Sequence, residues 1–161
     1  MKARHAILVA LAAAVTLTSV AAAGPDAAKQ RVAITTQAAK TTSVSPFVLT
    51  TLQAGALKPD SGMLIASDAS SSNRVVMREG QEVSIYTGVS TLKGKLGNLV
   101  VRFRSEWVEA GNGYHVTFGT WKVVRGTGQY AGVTGGGREG GVWLETNDHW
   151  STRSEGLLTR P

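Results

Sequence analysis

Arg102, Arg104 and Glu106 recur at every second position of one segment, so in an extended chain their side chains share a face. A guanidinium beside a carboxylate can anchor a bound carboxylate and set a base next to it, with Arg104 as the anchor and Glu106 as the base. The other reading is a solvent-facing wall of weak cross-strand ion pairs. The second is preferred, because Leu99, Val101, Phe103 and Trp107 at the alternate positions make the better core face. Elsewhere chemistry-bearing residues are sparse. His115 and His149 are far apart and lack the i, i+2 or i, i+4 spacing of a metal pair, so no metal site is expected. Glu106, Glu109, Glu139 and Glu145 would contain a glycosidase pair only if folding set two of them roughly 5–9 Å apart. No Gly-x-Ser-x-Gly elbow occurs, and the chain has no cysteine, which removes thiolate nucleophiles, thiolate metal sites and disulfides.

Aromatic residues supply the remaining candidates. Trp107, Trp121, Trp143 and Trp150 are all of the tryptophans and lie in the carboxyl-terminal half. They would line a sugar- or lipid-binding mouth, or, for at least two of them, pack in a core. Tyr114 and Phe118 share a face that would look into a lumen, or fill one. The set expected to touch a ligand is therefore Phe103, Arg104, Glu106, Trp107, Tyr114, Phe118 and Trp121, with no catalytic residue assigned.

These side chains need strands to position them. Alternating or β-rich runs occur at 47–52, 63–66, 74–77, 82–92, 99–108, 114–125, 142–145 and 150–158, with Gly88 a candidate bulge. Gly111-Asn112-Gly113 reads as a hairpin turn and Asn147-Asp148 as another. About eight strands with short connections predict an all-β fold, a single antiparallel barrel of roughly eight strands. A β-sandwich is the competing architecture. Such a barrel has room inside for side chains or for one small ligand.

The chain has 161 residues, enough for one domain. Residues 1–23 read as a secretory signal: Lys2, Arg4 and His5, then an apolar stretch too short to span a bilayer, then Ala21-Ala22-Ala23. Residues 24–45, rich in Ala, Thr, Gln and Ser, read as a flexible leader, and 46–161 as the barrel domain. The expected destination is the periplasm or the exterior, with no integral membrane segment after processing. Loss of Lys2 and Arg4 takes the 17 Lys and Arg down to 15 against 11 Asp and Glu, a net charge of +4. Basic and acidic groups are interspersed, so nucleic acid is not an expected partner.

Eleven of the 19 glycines fall between Gly111 and Gly141. Gly126-x-Gly128 is not read as a dinucleotide loop, because Thr134-Gly135-Gly136-Gly137 would interrupt the helix that must follow. No Gly-Lys-Ser/Thr ending marks a P-loop. The glycines are instead expected at barrel corners, with one helical turn near Gln129 and Tyr130 plugging the barrel end. Val123-Val124-Arg125-Gly126-Thr127-Gly128-Gln129-Tyr130-Ala131-Gly132, followed by Thr134-Gly135, resembles the strand, turn and Gly-rich return of allene oxide cyclase-like and dirigent-like barrels of the calycin type, above all small exported bacterial members. That resemblance implies a barrel that steers an apolar intermediate without a cofactor, and no catalytic residue of the group carries over.

The leading expectation is an exported barrel that binds a small apolar or amphipathic ligand in its lumen, without metal or organic cofactor. A cofactor-free isomerase or cyclase is the second reading. A packed barrel with a structural or interaction role, self-associating as a homo-oligomer through exposed strand faces, is the third.

Overall fold

A computed structural model of the chain describes residues 28–38, 44–66 and 71–161. The strands are β1 Lys29–Ala38, β2 Val44–Thr51, β3 Asp60–Ala66, β4 Ser72–Arg78, β5 Gln81–Gly94, β6 Asn98–Gly111, β7 Tyr114–Gly126, β8 Thr134–Leu144 and β9 His149–Thr159. All except β4 form a closed eight-stranded antiparallel barrel in the order β3-β2-β1-β9-β8-β7-β6-β5, sealed where β3 pairs with β5 from Gly62↔Gly94 to Ala66↔Ser90. The expected barrel is the fold, and closure leaves those eight strands without an open edge. Among the described residues no helix is long and apolar enough to cross a membrane.

The ninth strand, β4, runs in the same direction as β3 along the other half of β5, from Ser72↔Thr87 to Arg78↔Gln81. Gly88 is not a bulge: the β5–β6 register runs unbroken from Val83↔Val108 to Lys93↔Asn98. It sits where β5 exchanges β4 for β3 as its neighbour. The irregularities fall instead between β6 and β7, at Val100/Val101 and Glu109/Gly111. The hairpin turn at Asn112 and Gly113 forms as expected, with positive φ at both residues.

Two expectations need correction. Residues 29–38, expected within the flexible leader, form β1, paired with β2 on one side and with β9 along its whole length on the other. Its inward positions Gln30, Val32, Ile34 and Thr36 mix polar with apolar residues, which hides the alternation. The polar ones are satisfied inside. The Gln30 amide donates to the carbonyls of Gln53 and Leu57, each at 3.0 Å, and accepts from the Leu57 N–H at 2.8 Å. Residues 24–27, 39–43 and the expected signal segment 1–23 lie outside the described residues. The second correction concerns the glycine-rich return, expected at corners: Gly135, Gly136, Gly137, Gly140 and Gly141 lie within β8 itself.

Large side chains fill one end of the barrel. Val32, Phe47, Leu49, Leu57, Leu92, Leu99, Tyr130, Val133 and Leu158 pack there as a single cluster. Tyr130 stands at the end of the 3₁₀ turn Gly128–Tyr130, 1% exposed, in the plugging position its sequence predicts. Its hydroxyl donates to Asp60 Oδ2 at 3.0 Å, and Asp60 Oδ1 accepts the N–H of Lys95 at 3.0 Å. One side chain thus joins the start of β3 and the β5–β6 turn to the β7–β8 turn. Burial pushes the Tyr130 phenol up from its ordinary pKa, so it stays a donor.

On the outer wall, Glu106 of β6 is clasped by two guanidinium groups. Arg78 of β4 reaches across β5 to it at 2.5 and 3.1 Å, and Arg104 meets it at 2.7 Å. This carboxylate ties the extra strand to the barrel. The hydrogen bonds from Arg78, then Arg104, hold the Glu106 carboxyl below the usual carboxylate range, so its contribution to stability is present above the ordinary pKa and lost as pH falls through the lowered one. Glu106→Gln should flatten the loss of melting temperature on acidification and speed amide exchange along β4, with exchange at the Tyr130 end unaltered. Unchanged β4 exchange would show that the clasp does not hold the strand.

Candidate functional site

The remaining half of the interior is not filled. A cavity of about 230 Å³ lies between β1, β3 and β5–β9. Its wall is built by the period of two. From β6 come Val101, Phe103, Ser105 and Trp107, from β7 Thr117 and Trp121, from β8 Glu139, and from β9 Trp150, Thr152 and Ser154. β1 adds Ile34 and Thr36, β3 adds Leu64, and β5 adds Tyr86, Ser90 and Leu92. The space exists because hydroxyl-bearing residues stand at inward positions where the closed end has Leu, Val and Phe.

Glycine helps to shape the wall. Trp121 opposes Gly137 on β8, and Gly137 in turn opposes Gly156 on β9. A Cβ at Gly156 would come within 2.6 Å of Trp121 Cζ2, so the indole needs that bare backbone to lie where it does. Trp121 and Trp150 have buried Nε1 atoms with no hydrogen-bond partner among the described residues. A hydroxyl pair, Thr36 Oγ1 and Thr152 Oγ1 at 2.5 Å, links β1 to β9.

Among the described residues Glu139 is the only carboxyl group lining the cavity, and no described Lys, Arg or His accompanies it there. Ser105 donates its hydroxyl to Glu139 Oε1, and Ser154, directly opposite on β9, is its other hydroxyl partner. Burial pushes the Glu139 carboxyl above the usual range, and the two hydroxyls only partly offset this. Such a group can donate a proton when neutral or pair with a positive charge when ionised.

Toward the end opposite Tyr130 the aromatic wall continues beyond the cavity. Tyr86 and Trp107 have ring centroids 5.4 Å apart, Trp107 and Trp143 are 6.3 Å apart, and His115 lies 4.6 Å from Trp143. Asp148 fixes Trp143 by accepting its Nε1–H at 2.9 Å. These rings, with Glu82 and Glu109, form a groove that shares Tyr86 and Trp107 with the cavity.

Of the seven residues expected to touch a ligand, the structure brings Phe103, Trp107 and Trp121 together around the cavity. The other four face away. Arg104 and Glu106 form the outer-wall clasp described above, the preferred reading of that triad. Tyr114 and Phe118 are 46% and 48% exposed on the outside of β7, because Thr117 and Trp121 take the inward positions. The four glutamates do not gather into a catalytic pair in the lumen, since Glu139 alone lines it. Outside that set of seven, the lining includes Trp150, one of the four tryptophans expected at a mouth or in a core, Glu139, one of the four candidate carboxylates, and Tyr86 and the hydroxyl residues, for which the sequence reading gives no role. Their signal was available: with β8 starting at Thr134, Glu139 shares the face of Gly137 and Gly141.

No family model, curated protein or solved structure matches this chain.

The upward shift of Glu139 has a consequence for stability. The folded state holds its proton to higher pH than the unfolded chain, so stability is greatest below the ordinary carboxylate pKa and falls as pH rises through the raised value. Glu139→Gln should raise the melting temperature relative to the parent at pH 8 and lose that advantage at pH 4. An equal effect at both pH values would mean that the carboxyl is not held protonated by burial.

Proposed function

We propose that this protein binds one small, mostly apolar or amphipathic molecule in the barrel lumen. The observation that carries this reading is the 230 Å³ cavity, lined chiefly by carbon and hydroxyl groups, inside a barrel packed solidly at its other end. An apolar cavity of about 150 Å³ can already hold benzene, so there is space for a somewhat larger molecule. A barrel with a purely structural role has no need of such a space. Membership of the allene oxide cyclase-like or dirigent-like barrels belongs to the same proposal. What supports it is the Gly126-Thr127-Gly128 turn leading to a one-turn helix and the Tyr130 plug.

A second reading, a cofactor-free isomerase or cyclase, is favoured by Glu139: a carboxyl whose hold on its proton is strengthened by burial could give that proton to a bound molecule. Self-association is supported by the exposed outer row Tyr114, Val116 and Phe118, with Val142 opposite Val116. Native mass spectrometry of protein from its own host should find a bound small molecule, and would read the oligomer mass at once. Ser90→Phe, which fills the lumen from β5, should abolish retention or weaken binding at least tenfold. Retention unaltered in that variant would remove the lumen as the binding site.

Export is proposed on the basic, apolar and small-residue order of residues 1–23. Amino-terminal sequencing of secreted or periplasmic material should begin near Gly24, and an intact Met1 would overturn it.

A further inference from the structure

The lumen and its mouth have one electrostatic character. Among the described residues Glu139 is the one lining group that can carry charge at neutral pH, and Tyr86 is the other titratable side chain. The mouth groove adds Glu82 and Glu109, with His115 its only basic side chain among the described residues. The Nε1 atoms of Trp121 and Trp150 are themselves buried, so neither indole offers its N–H to the space. Serine and threonine oxygens complete the wall. The arginines and lysines of β6–β9 are all exposed, among them Arg102, Lys122, Arg138 and Arg153.

We propose that the natural occupant is a small cationic amphiphile, an amine of about ten heavy atoms whose ammonium group pairs with Glu139 while its apolar part lies against Phe103, Trp107 and Trp121. This rests on the lumen-binding reading above. An anionic ligand would meet a carboxyl group with no compensating cation. A neutral apolar ligand would fill the space but leave Glu139 without an opposite charge. An ammonium group pairs with the one carboxyl among the described lining residues and lies among aromatic rings. Glu82 and Glu109 attract the same charge at the entrance.

Three probes of similar size and different charge test the assignment: 2-phenylethylamine, propylbenzene and phenylacetate. Binding to the full protein at pH 8 is measured by calorimetry and by tryptophan fluorescence. The amine should bind at least tenfold more tightly than propylbenzene, and phenylacetate more weakly than either. In Glu139→Gln the ratio of amine to propylbenzene affinity should fall to within about twofold, with folding checked by thermal melting. The order in the parent protein stands as a test even where that variant does not fold. Propylbenzene binding as tightly as the amine, or phenylacetate binding best, overturns the cationic assignment while leaving lumen binding intact. A preference for the amine that survives Glu139→Gln overturns the pairing. Binding of none of the three overturns the cationic assignment and lumen binding together.

Discussion

The limited interior of an eight-stranded barrel governs everything else in this molecule. Each strand sends only every second side chain inward, and those side chains either fill the space or leave it. Here the two outcomes occur in one barrel. Phe47, Leu49, Leu92, Leu99, Leu158 and Tyr130 close one end. Ser90, Ser105, Thr117, Thr152 and Ser154 occupy the corresponding inward rows toward the other end, and a cavity remains between them. A hydroxyl has less volume than a Leu side chain and is easily satisfied across strands, whereas the Nε1 atoms of Trp121 and Trp150 have no hydrogen-bond partner among the described residues. The Tyr130–Asp60 bond matters because it fixes the closed end, where three connections converge, and so sets the wall of the cavity.

Most of this architecture is legible because long strands with one buried face announce themselves. β6 and β7 alternate over many residues, and Asn112-Gly113 joins them with the backbone conformation a tight hairpin requires. The choice of inner face was equally plain on β6, where Leu99, Val101 and Phe103 oppose Arg102 and Arg104. It was ambiguous on β7. Tyr114, Val116 and Phe118 are the more conspicuous apolar row, yet Thr117 and Trp121 face inward, as the pairing of Trp121 with Phe103 across β6 requires. Hydrophobicity alone misreads a strand whose outer face is also apolar.

β1 and the glycine-rich part of β8 are hidden in the sequence for opposite reasons. β1 carries Gln30 and Thr36 inward, so its polar residues look like surface until Leu57 and Thr152 are brought to them. β8 carries almost no side chains over 135–141, and a run of glycines is commonly a turn. Its pairing on both sides, with β7 and β9, makes it a strand regardless. The bare backbone serves the tertiary structure, since the Trp121 indole occupies the space above Gly156 that a side chain would take. That is also why Glu139, the one charged residue of this strand facing inward, was inconspicuous: its surroundings are defined by β6 and β9, far away in sequence.

A basic chain can enclose an acidic cavity because alternation separates charge across a single layer of backbone. Arg138 and Glu139 are adjacent on β8, yet one is exposed and the other faces the lumen. The outer charges are solvated and screened over roughly 8 Å at physiological salt, whereas a buried carboxyl group is screened much less. Net charge therefore says little about what enters the barrel. Keeping Glu139 in the lumen raises the cost of its ionisation, and its serine partners only partly relieve it. A glutamine of nearly the same shape would pack there without that cost, so a structural role gives no reason for the carboxyl. A ligand whose charge matches it does: the ion pair recovers on binding what burial withheld on folding, and it does so only for a positively charged occupant.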